Sequence, residues 1–348
     1  MDDFALSIRF WYRQNSRKLP WRETSDPYFI WLSEIILQQT RVDQGRSYYE
    51  KFVRNFPTVE DLAAADEQDV LNLWQGLGYY SRARNLHFAA KQIMNDYKGQ
   101  FPSDFENIKK LRGVGDYTAA AIASFAFRLP HAVVDGNVYR VLARYYAEST
   151  PIDSSAGQKL FREYAQQLLS QDSPDEFNQA IMELGALVCT PSKPSCETCP
   201  ISENCMAFRR SEQNFYPVKK NKTRVTEKFF NYFLPQGREI QIEQRTGKGI
   251  WQNLYQFPLI ESDIELDHDQ ANKASLEKWN TNTIEKKASY THLLSHQKIN
   301  AHFWLTEKRI TNKGNEREYL TLDLDDIHDY PIPRLIERFL EENIQGSD

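Results

Sequence analysis

The chain has 348 residues, of which 41% are hydrophobic and 26% charged, and its formal net charge is -5. It is long enough for two domains with cores of their own, and it contains no apolar run of the roughly eighteen residues that a membrane-spanning helix needs. The negative charge argues against nucleic-acid binding through bulk positive charge, so any such function must use local patches and backbone donors.

The N-terminal stretch MDDFALSIRFWYRQNS has two acidic residues where a signal peptide needs basic ones, so we expect a cytoplasmic protein. From there to about residue 200, apolar residues recur three and four positions apart, which predicts one helix after another. The predicted helical segments are 29–56, 61–74, 82–94, 137–146, 158–169 and 177–187. Strand-like alternation is scarce in this part, which we therefore expect to be mainly helical.

A Gly-x-Gly turn stands in LRGVGDYTAAAI, residues 111–122, between two helical stretches. Gly113 and Gly115 precede a helix of small residues, and such a turn bares backbone N–H groups that can bind a DNA phosphate. The pattern indicates a helix-hairpin-helix. A turn of this kind also occurs as plain punctuation between helices, so both interpretations stay open on this pattern alone.

An acidic residue opens the next predicted helix, in HAVVDGNVYRVLAR. Asp135 comes directly before Gly136 and Asn137. Taken alone, Asp135 is best interpreted as a helix N-cap, because aspartate is favoured at that position.

All four cysteines of the chain lie in CTPSKPSCETCPISENC, residues 189–205, with the spacing C-x6-C-x2-C-x5-C. Two disulfides are disfavoured in a reducing compartment. Structural zinc is possible but usually uses two separated C-x2-C pairs, whereas a compact loop of four thiolates suits an iron–sulfur cluster. Spacing alone leaves zinc and iron–sulfur open.

The pattern of the chain changes after the cysteines. Residues 208–226, FRRSEQNFYPVKKNKTRVT, hold six basic residues and one acid, which indicates a linker or a strap that faces nucleic acid. Beyond it, strands are predicted at 228–234, 239–245 and 298–305, and helices at 270–279 and 333–343. This second half is therefore predicted to be α+β.

Together, the hairpin, the stretch VVDGNV and the cysteine spacing resemble the DNA glycosylases of the endonuclease III superfamily. Finer motifs resemble the adenine DNA glycosylases of the MutY type, over nearly the whole chain. They are LPWR at 19–22, WLSEIILQQTRV at 31–42, LWQGLGYYSRARNL at 73–86, FNQAIMELGALVC at 177–189, GKGIWQNLYQFP at 247–258 and THLLSHQKI at 291–299. Two residues depart from the family's pattern: Arg112 replaces a common proline, and Leu294 replaces the usual phenylalanine.

The resemblance implies a mainly helical glycosylase domain with an iron–sulfur loop and an α+β, Nudix-like domain that reads 8-oxoguanine. The implied ranges are 1–207 for the glycosylase domain, 189–205 for its cluster loop, 208–226 for a basic linker and 227–348 for the second domain. The implied cofactor is a [4Fe-4S] cluster held by Cys189, Cys196, Cys199 and Cys205. The acidic metal-binding box of Nudix hydrolases is absent from LIESDIELDHDQ, so we expect no pyrophosphatase activity.

The same resemblance assigns the chemistry. Glu34, with Trp31, Ile35 and Ile36 beside it, would be a protonated general acid for the leaving adenine, because apolar surroundings raise the pKa of a carboxyl. Asp135 would stabilise the cationic sugar or attack it, and Asn137 would hydrogen-bond near Asp135. Tyr117 stands where bifunctional relatives have a lysine, so we expect a monofunctional enzyme that does not cut the strand.

Residues for DNA contact follow from the motifs. The target base has to leave the stack before it can react, and Gln39 and Tyr79 match wedge positions in the duplex. Gln38 and Thr40 would lie beside the lesion pair, and Arg22 near the adenine pocket. In the second domain, Ser295 and His296 would probe 8-oxoguanine.

The predicted partner is double-stranded DNA with adenine opposite 8-oxoguanine or guanine, and the protein is expected to be a monomer without membrane contact. Three other hypotheses remain at this point. One is a bifunctional, endonuclease III-like glycosylase and lyase on oxidised pyrimidines. The others are a non-catalytic DNA-binding protein on the same scaffold and a zinc protein.

Overall fold

The computed structural model describes residues 2–220, 225–294, 296–311 and 319–343. Residue contacts divide the chain into two compact units, Met1–Ala64 with Asn85–Lys222 and Ala65–Arg84 with Thr223–Asp348. This grouping differs from the predicted domain ranges in two respects, because residues 65–84 cluster with the second part of the chain and residues 208–220 of the predicted linker cluster with the first. The predicted ranges themselves stay a prediction. No helix in the described ranges is both long and apolar enough to cross a membrane.

The first unit is built of helices. They are α1 (Asp2–Asn15), α2 (Pro27–Ile36), α3 (Val42–Asn55), α4 (Val59–Ala64), the main part of α6 (Ser81–Tyr97), α7 (Phe105–Lys110), α8 (Asp116–Phe127), α9 (Gly136–Tyr146), α10 (Ser155–Leu168), α11 (Pro174–Leu187) and α12 (Met206–Arg209). α5 (Glu67–Leu73) and the first residues of α6 belong to the second unit. The mainly helical class predicted from periodicity is confirmed.

One large core joins α1, α9, α10 and α11. It contains buried residues at helical spacing, including Ile8, Val141, Phe161, Phe177 and Leu184. Each such side chain contributes roughly 1.5–3 kcal/mol when it is fully buried. This core fixes α9 against α11, and α9 carries Asp135 at its N-terminus.

Small residues bring α2 and α8 together. Residues 119–121 and 123 of α8 are all alanine, and all are buried. Because their side chains end at Cβ, α2 can pack closely against α8. This contact brings Glu34 of α2 to Tyr117 in the first turn of α8.

The first part of the predicted basic linker is ordered against the helical unit. After α12, the backbone N–H of Ile152 donates to the carbonyl of Val218 at 3.0 Å, and the N–H of Lys220 donates to Oδ1 of Asp153 at 2.8 Å. Residues 221–224 of the predicted linker lie outside the described residues.

The second unit contains two sheets. The strands are β1 (Thr226–Pro235), β2 (Glu239–Gln244), β3 (Tyr255–Gln256), β4 (Leu259–Ser262), β5 (Thr283–Leu293), β6 (Gln297–Thr306) and β7 (Leu320–Asp323). One sheet has the order β4-β1-β6-β5 and the other β3-β2-β7, and among the strands that the structure describes only β1 and β6 pair in parallel. Helices α13 (His268–Trp279) and α14 (Arg334–Asn343) complete the unit, which confirms the predicted α+β class.

Candidate active site

Glu34 lies on an apolar helix. Asp26 caps α2 by accepting the N–H of Tyr28 at 2.8 Å, and the helix continues with buried residues around Glu34, whose own exposed fraction is 7%. Burial raises the pKa of Glu34 to about 7, the hydrogen bond from Tyr117 opposes the rise, and the charge of Asp135 adds to it. The carboxyl is therefore placed to hold a proton near neutral pH.

Tyr117 contacts Glu34 directly. Its hydroxyl donates to Oε2 of Glu34 at 2.9 Å. Burial, together with the neighbouring carboxylates, raises the pKa of Tyr117 well above its ordinary value. The phenol therefore stays protonated and acts as a donor.

Asp135 is the N-cap of α9. Its Oδ1 accepts the backbone N–H groups of Asn137 at 2.9 Å and Val138 at 2.8 Å, and its Oδ2 accepts Nδ2 of Asn137 at 2.7 Å. Burial raises the pKa of Asp135, and these three hydrogen bonds oppose the rise. They also fix the orientation of the carboxyl group.

Arg140 holds Asn137 in place. Its Nη2 donates to Oδ1 of Asn137 and to the carbonyl of Gly185, both at 2.7 Å, and its Nε donates to the carbonyl of Cys189 at 2.6 Å. A β-carbon at Gly185 would lie 2.6 Å from Cβ of Asn137 and 2.9 Å from its carbonyl oxygen. The start of α9 thus packs on α11 as closely as a glycine allows. Arg140 was not predicted from the sequence, although its spacing of three residues from Asn137 places both on one helix face.

The two carboxyl groups line the same cavity. It measures about 670 Å³, and its walls include the predicted residues Arg22, Glu34, Thr40, Tyr117, Asp135 and Asn137. A cavity of about 550 Å³ shares Glu34, Tyr117 and Asp135 with it and adds Gln38, Gln39 and Gly115. Small-molecule sites usually measure about 300–1,000 Å³, so each space is of a size that can hold one base.

A buried ion-pair network forms another wall of the first cavity. Glu183 on α11 accepts Nη2 of Arg17 at 2.7 Å and Nη2 of Arg22 at 2.8 Å. Burial raises the pKa of Glu183, but the arginine hydrogen bonds outweigh it and lower the pKa to about 2. Glu183 was not predicted from the sequence. A carboxylate within the apolar stretch AIMELGAL was the signal available.

The predicted hairpin forms between α7 and α8. Gly113 has a φ of +79°, and a β-carbon there would lie 2.7 Å from Cβ of Asn85. Gly115 precedes α8, and among the described residues no side chain caps this helix end and no atom lies within 4 Å of the Cβ position of Gly115. The helix N-terminus is therefore accessible to an anion.

The four cysteines line one small cavity. None of them forms a disulfide. The buried side chain of Arg144 donates to Sγ of Cys189 at 3.3 Å and to the carbonyls of Thr190 and Pro191. In the described part of the chain, no three His, Cys, Asp or Glu side chains are arranged to hold a single metal ion. The converging soft sulfur donors, with apolar residues around them, fit an iron–sulfur cluster.

The remaining predicted residues lie in the second unit. Tyr79 has a φ of +50° and an exposed fraction of 47%. His296 is exposed between β5 and β6, and its carbonyl accepts the N–H of Thr226 at 3.1 Å. Ser295 lies outside the described residues, and Leu294 beside it donates its N–H to the carbonyl of Gln297 at 2.8 Å.

Three family models match this chain. Residues 32–185 match the HhH-GPD superfamily of base excision DNA repair proteins, residues 189–205 match the iron–sulfur binding domain of endonuclease III, and residues 232–342 match the NUDIX domain. The iron–sulfur match decides the question that the cysteine spacing left open: the cofactor is a [4Fe-4S] cluster. The zinc hypothesis is thereby set aside.

Individual proteins support the same grouping. The chain is 34% identical over 345 residues to an adenine DNA glycosylase of Buchnera aphidicola subsp. Schizaphis graminum, covering 97% of this chain and 98% of that one. It is 44% identical over 220 residues to the adenine DNA glycosylase of Homo sapiens, covering 60% and 40% of the two chains. A thermostable thymine-DNA glycosylase superposes with a TM-score of 0.56 at 32% identity, covering 60% of this chain and 95% of that one.

Proposed function

The chain belongs to the adenine DNA glycosylases, and on this premise we propose that it excises adenine paired with 8-oxoguanine or guanine. It is a base-excision repair enzyme that acts on DNA and carries an iron–sulfur cluster. The observation that carries the proposed site is the shared cavity of Glu34 and Asp135. We further propose that the protein acts as a monomer, in the compartment that holds the chromosome.

Glu34 supplies the proton for the leaving base. Adenine is a poor leaving group until a ring nitrogen is protonated, and cleavage of the C–N bond then leaves a cationic sugar. A carboxyl with a pKa near 7 is protonated in a large fraction of molecules at neutral pH, yet it gives up its proton readily. The hydrogen bond from Tyr117 keeps this carboxyl in one orientation.

Asp135 stabilises the sugar cation. Its two oxygens are fixed by the N-terminus of α9 and by Asn137, so the negative charge needs little rearrangement when positive charge develops. The cavity offers both carboxyl groups to one substrate, an acid on Glu34 and an anion on Asp135. A direct attack by Asp135 on the sugar carbon uses the same geometry.

Strand cleavage is not part of the proposed reaction. Lyase chemistry needs an amine that forms a Schiff base with the sugar. Tyr117 provides a hydroxyl, and it donates that hydroxyl to Glu34. We therefore propose a monofunctional enzyme that leaves an abasic site in an intact strand.

The flipped adenine enters the larger cavity. Arg22 and Glu183 line it with a donor and an acceptor, the two kinds of group that an adenine edge can pair with. Gln38, Gln39 and Thr40 belong to the region through which the base would enter. We assign Gln39 to the space in the duplex that the extruded base leaves, because Gln39 is exposed and its backbone has a left-handed conformation.

The duplex is held by other groups. The open N-terminus of α8 after Gly113 and Gly115 suits a backbone phosphate. Tyr79 is exposed and aromatic, which suits insertion between bases. Ser295 and His296 keep the role that the family resemblance gives them, as the pair that reads 8-oxoguanine.

The cluster residues support the loop. Cys189, Cys196, Cys199 and Cys205 would hold the cluster, which shapes the loop 189–205 when it is bound. This chain's own residues then connect the loop to the site, since Arg140 donates to the carbonyl of Cys189 and to Asn137. The loop therefore helps to position Asp135.

A substrate panel tests the proposal. The holoprotein is incubated with duplexes that carry A opposite 8-oxoguanine, A opposite G, T opposite G, and thymine glycol opposite A, and products are scored with and without alkali. We expect adenine release from the first two duplexes and strand breaks only after alkali. Release of thymine or thymine glycol without adenine release would contradict the substrate assignment, and breaks without alkali would contradict the monofunctional mechanism.

A further inference from the structure

Residues 65–84 belong by sequence to the helical domain but cluster with the Nudix-like part of the chain. They comprise α5, a turn at 74–80 and the first residues of α6. Several polar side chains of this segment are bonded to backbone atoms of the Nudix-like part.

Helix α5 makes the first set of bonds. Nε2 of Gln68 and Nδ2 of Asn72 donate to the carbonyl of Asp329, at 3.3 and 3.0 Å. Nδ2 of Asn253 donates to Oε1 of Glu67 at 2.6 Å. Gln68 and Asn72 lie four positions apart on one face of α5, and Glu67 directly precedes Gln68. The face of α5 that they form is thus occupied by the Nudix-like part.

The turn and α6 make the second set. The N–H of Ile332 donates to Oε1 of Gln75, and the hydroxyl of Tyr80 donates to the carbonyl of Ile332, both at 3.4 Å. Nη1 of Arg84 donates to the carbonyl of Gln252 at 2.7 Å. The Nudix-like part therefore bonds residues that come before the turn, within it and after it in the chain.

The turn itself has an unusual backbone. Gly76, Gly78 and Tyr79 have φ values of +88°, +77° and +50°, and a residue with a side chain keeps such a conformation only where its surroundings determine it. Arg82, which belongs to the same segment, also contacts the turn. Its guanidinium lies 5.6 Å from the ring of Tyr79, and its Nη2 donates to the carbonyl of Gly78 at 3.1 Å. Nearly half of Tyr79 nevertheless stays exposed.

We propose that residues 65–84 are a dock for the Nudix-like domain, and that the docked domain holds the turn that presents Tyr79 to the duplex. The second half of this inference rests on the proposed function, in which Tyr79 enters the DNA. The Nudix-like domain thus supports excision in two ways, by reading the base opposite adenine and by fixing the wedge on the helical segment.

Hydrogen exchange on the DNA-free full-length protein tests the dock without reference to activity. The variant Asn72→Ala/Arg84→Ala removes a bond on each side of the turn. Asp69→Ala/Lys91→Ala is the matched control, because it truncates exposed residues of the same two helices. We expect amides 76–80 to exchange about tenfold faster in the dock variant and at the wild-type rate in the control. Unchanged exchange in the dock variant would overturn the proposal.

A milder substitution distinguishes a local effect on the turn from general unfolding. Asn72→Ala alone removes one bond from α5, and we expect faster exchange at 76–80 of the same sign but smaller size. Exchange that rises equally across both compact units would indicate general destabilisation and would count against a specific dock.

A double-mutant cycle connects the dock to Tyr79. The rate of adenine excision from the duplex with 8-oxoguanine is measured for the dock variant, for Tyr79→Ala and for their combination. If the dock acts through Tyr79, the combination is no slower than Tyr79→Ala, whereas independent effects would multiply and would overturn the proposal. A wild-type protein that excises no adenine would refute the proposed function, and hydrogen exchange would still decide whether the dock exists.

Discussion

Tyr117 donates its hydroxyl to Glu34 at 2.9 Å, so the residue that replaces the lysine of bifunctional relatives is bonded to the proposed acid. A hydrogen bond to a carboxylate stabilises the ionised form. Tyr117 therefore lowers the pKa of Glu34 against the larger effect of burial, which raises it. Tyr117, which lacks the amine that lyase chemistry needs, thus also adjusts the pKa of the acid that serves base excision.

The variant Tyr117→Phe tests this adjustment. Without the hydroxyl, Glu34 loses the hydrogen bond that lowers its pKa, while burial still raises that pKa. The pKa of Glu34 therefore rises further, and the alkaline limb of the activity profile moves to higher pH. The measurement is the single-turnover excision rate against pH. Tyr145→Phe, which changes a partly buried tyrosine packed against the core of the same unit, should leave the limb in place. A limb that moves to lower pH in Tyr117→Phe would contradict the assignment.

The variant Glu34→Gln should lose excision yet gain stability in alkali. Because burial raises the pKa of Glu34 from 4.5 to about 7, the folded state holds this proton more tightly than the unfolded state. That contribution is complete below pH 4.5 and is lost as the pH rises to 7 and beyond. Glutamine has no charge to bury, so we expect the variant to be more stable than wild type by about 3 kcal/mol at pH 8, and not at pH 4.5.

Urea unfolding at the two pH values measures this difference, and adenine release at neutral pH measures activity. Loss of a general acid should slow excision by about 10²–10⁴-fold. A variant that is inactive and also less stable at pH 8 would show that Glu34 serves the fold rather than the reaction.

The variant Gly185→Ala tests the close packing behind Asp135. The new methyl would lie 2.6 Å from Cβ of Asn137 and 2.9 Å from its carbonyl oxygen, so the start of α9 has to move. We expect a loss of about 1–3 kcal/mol of stability, as for other overpacked sites, and slower excision. Gly247→Ala, where no atom lies within 4 Å of the new carbon, should change neither quantity. Wild-type excision by Gly185→Ala would contradict the positioning role of this contact.

The variant Arg140→Lys tests the link between the cysteine loop and the site. Lysine lacks the planar fork that reaches Asn137, Gly185 and Cys189 at once. We expect excision to slow roughly 10- to 100-fold, because charge-assisted bonds are each worth about 1.5–3 kcal/mol. Iron content and visible absorbance per protein should change little. A variant that loses its iron while the residual loaded fraction excises at the wild-type rate would contradict the link.

The sequence predicted the helices and strands where a clear period exists. The predicted strands 228–234 and 298–305 fall in β1 and β6, and the predicted strand 239–245 covers β2 and one residue beyond it. It missed β5, TIEKKASYTHL, because most of its side chains are exposed and the usual alternation of apolar and polar residues is absent. Local patterns describe a strand only where one of its faces is buried.

The site was harder to derive than the fold. Glu34 and Tyr117 lie on α2 and α8, and Asp135 caps α9. A local sequence pattern cannot predict that these three helices meet, so the assignment of the three residues came from the family resemblance. Glu183 was missed because its partners are distant in sequence, and Arg140 because two of its three acceptors, the carbonyls of Gly185 and Cys189, are distant although Asn137 is near. The attachment of residues 65–84 to the second unit could not be predicted either, since its partners are mostly backbone atoms.

The pH dependence of adenine excision tests the central claim most directly, namely that Glu34 acts as the acid beside an ionised Asp135. The rate constant on the duplex with 8-oxoguanine is measured for wild type and for Glu34→Gln. If Glu34 is the acid, the wild-type rate falls as the pH rises through about 7, and Glu34→Gln has a slow rate without that alkaline limb. A wild-type rate that stays level between about pH 6 and pH 9, or an alkaline limb that survives in Glu34→Gln, would contradict it.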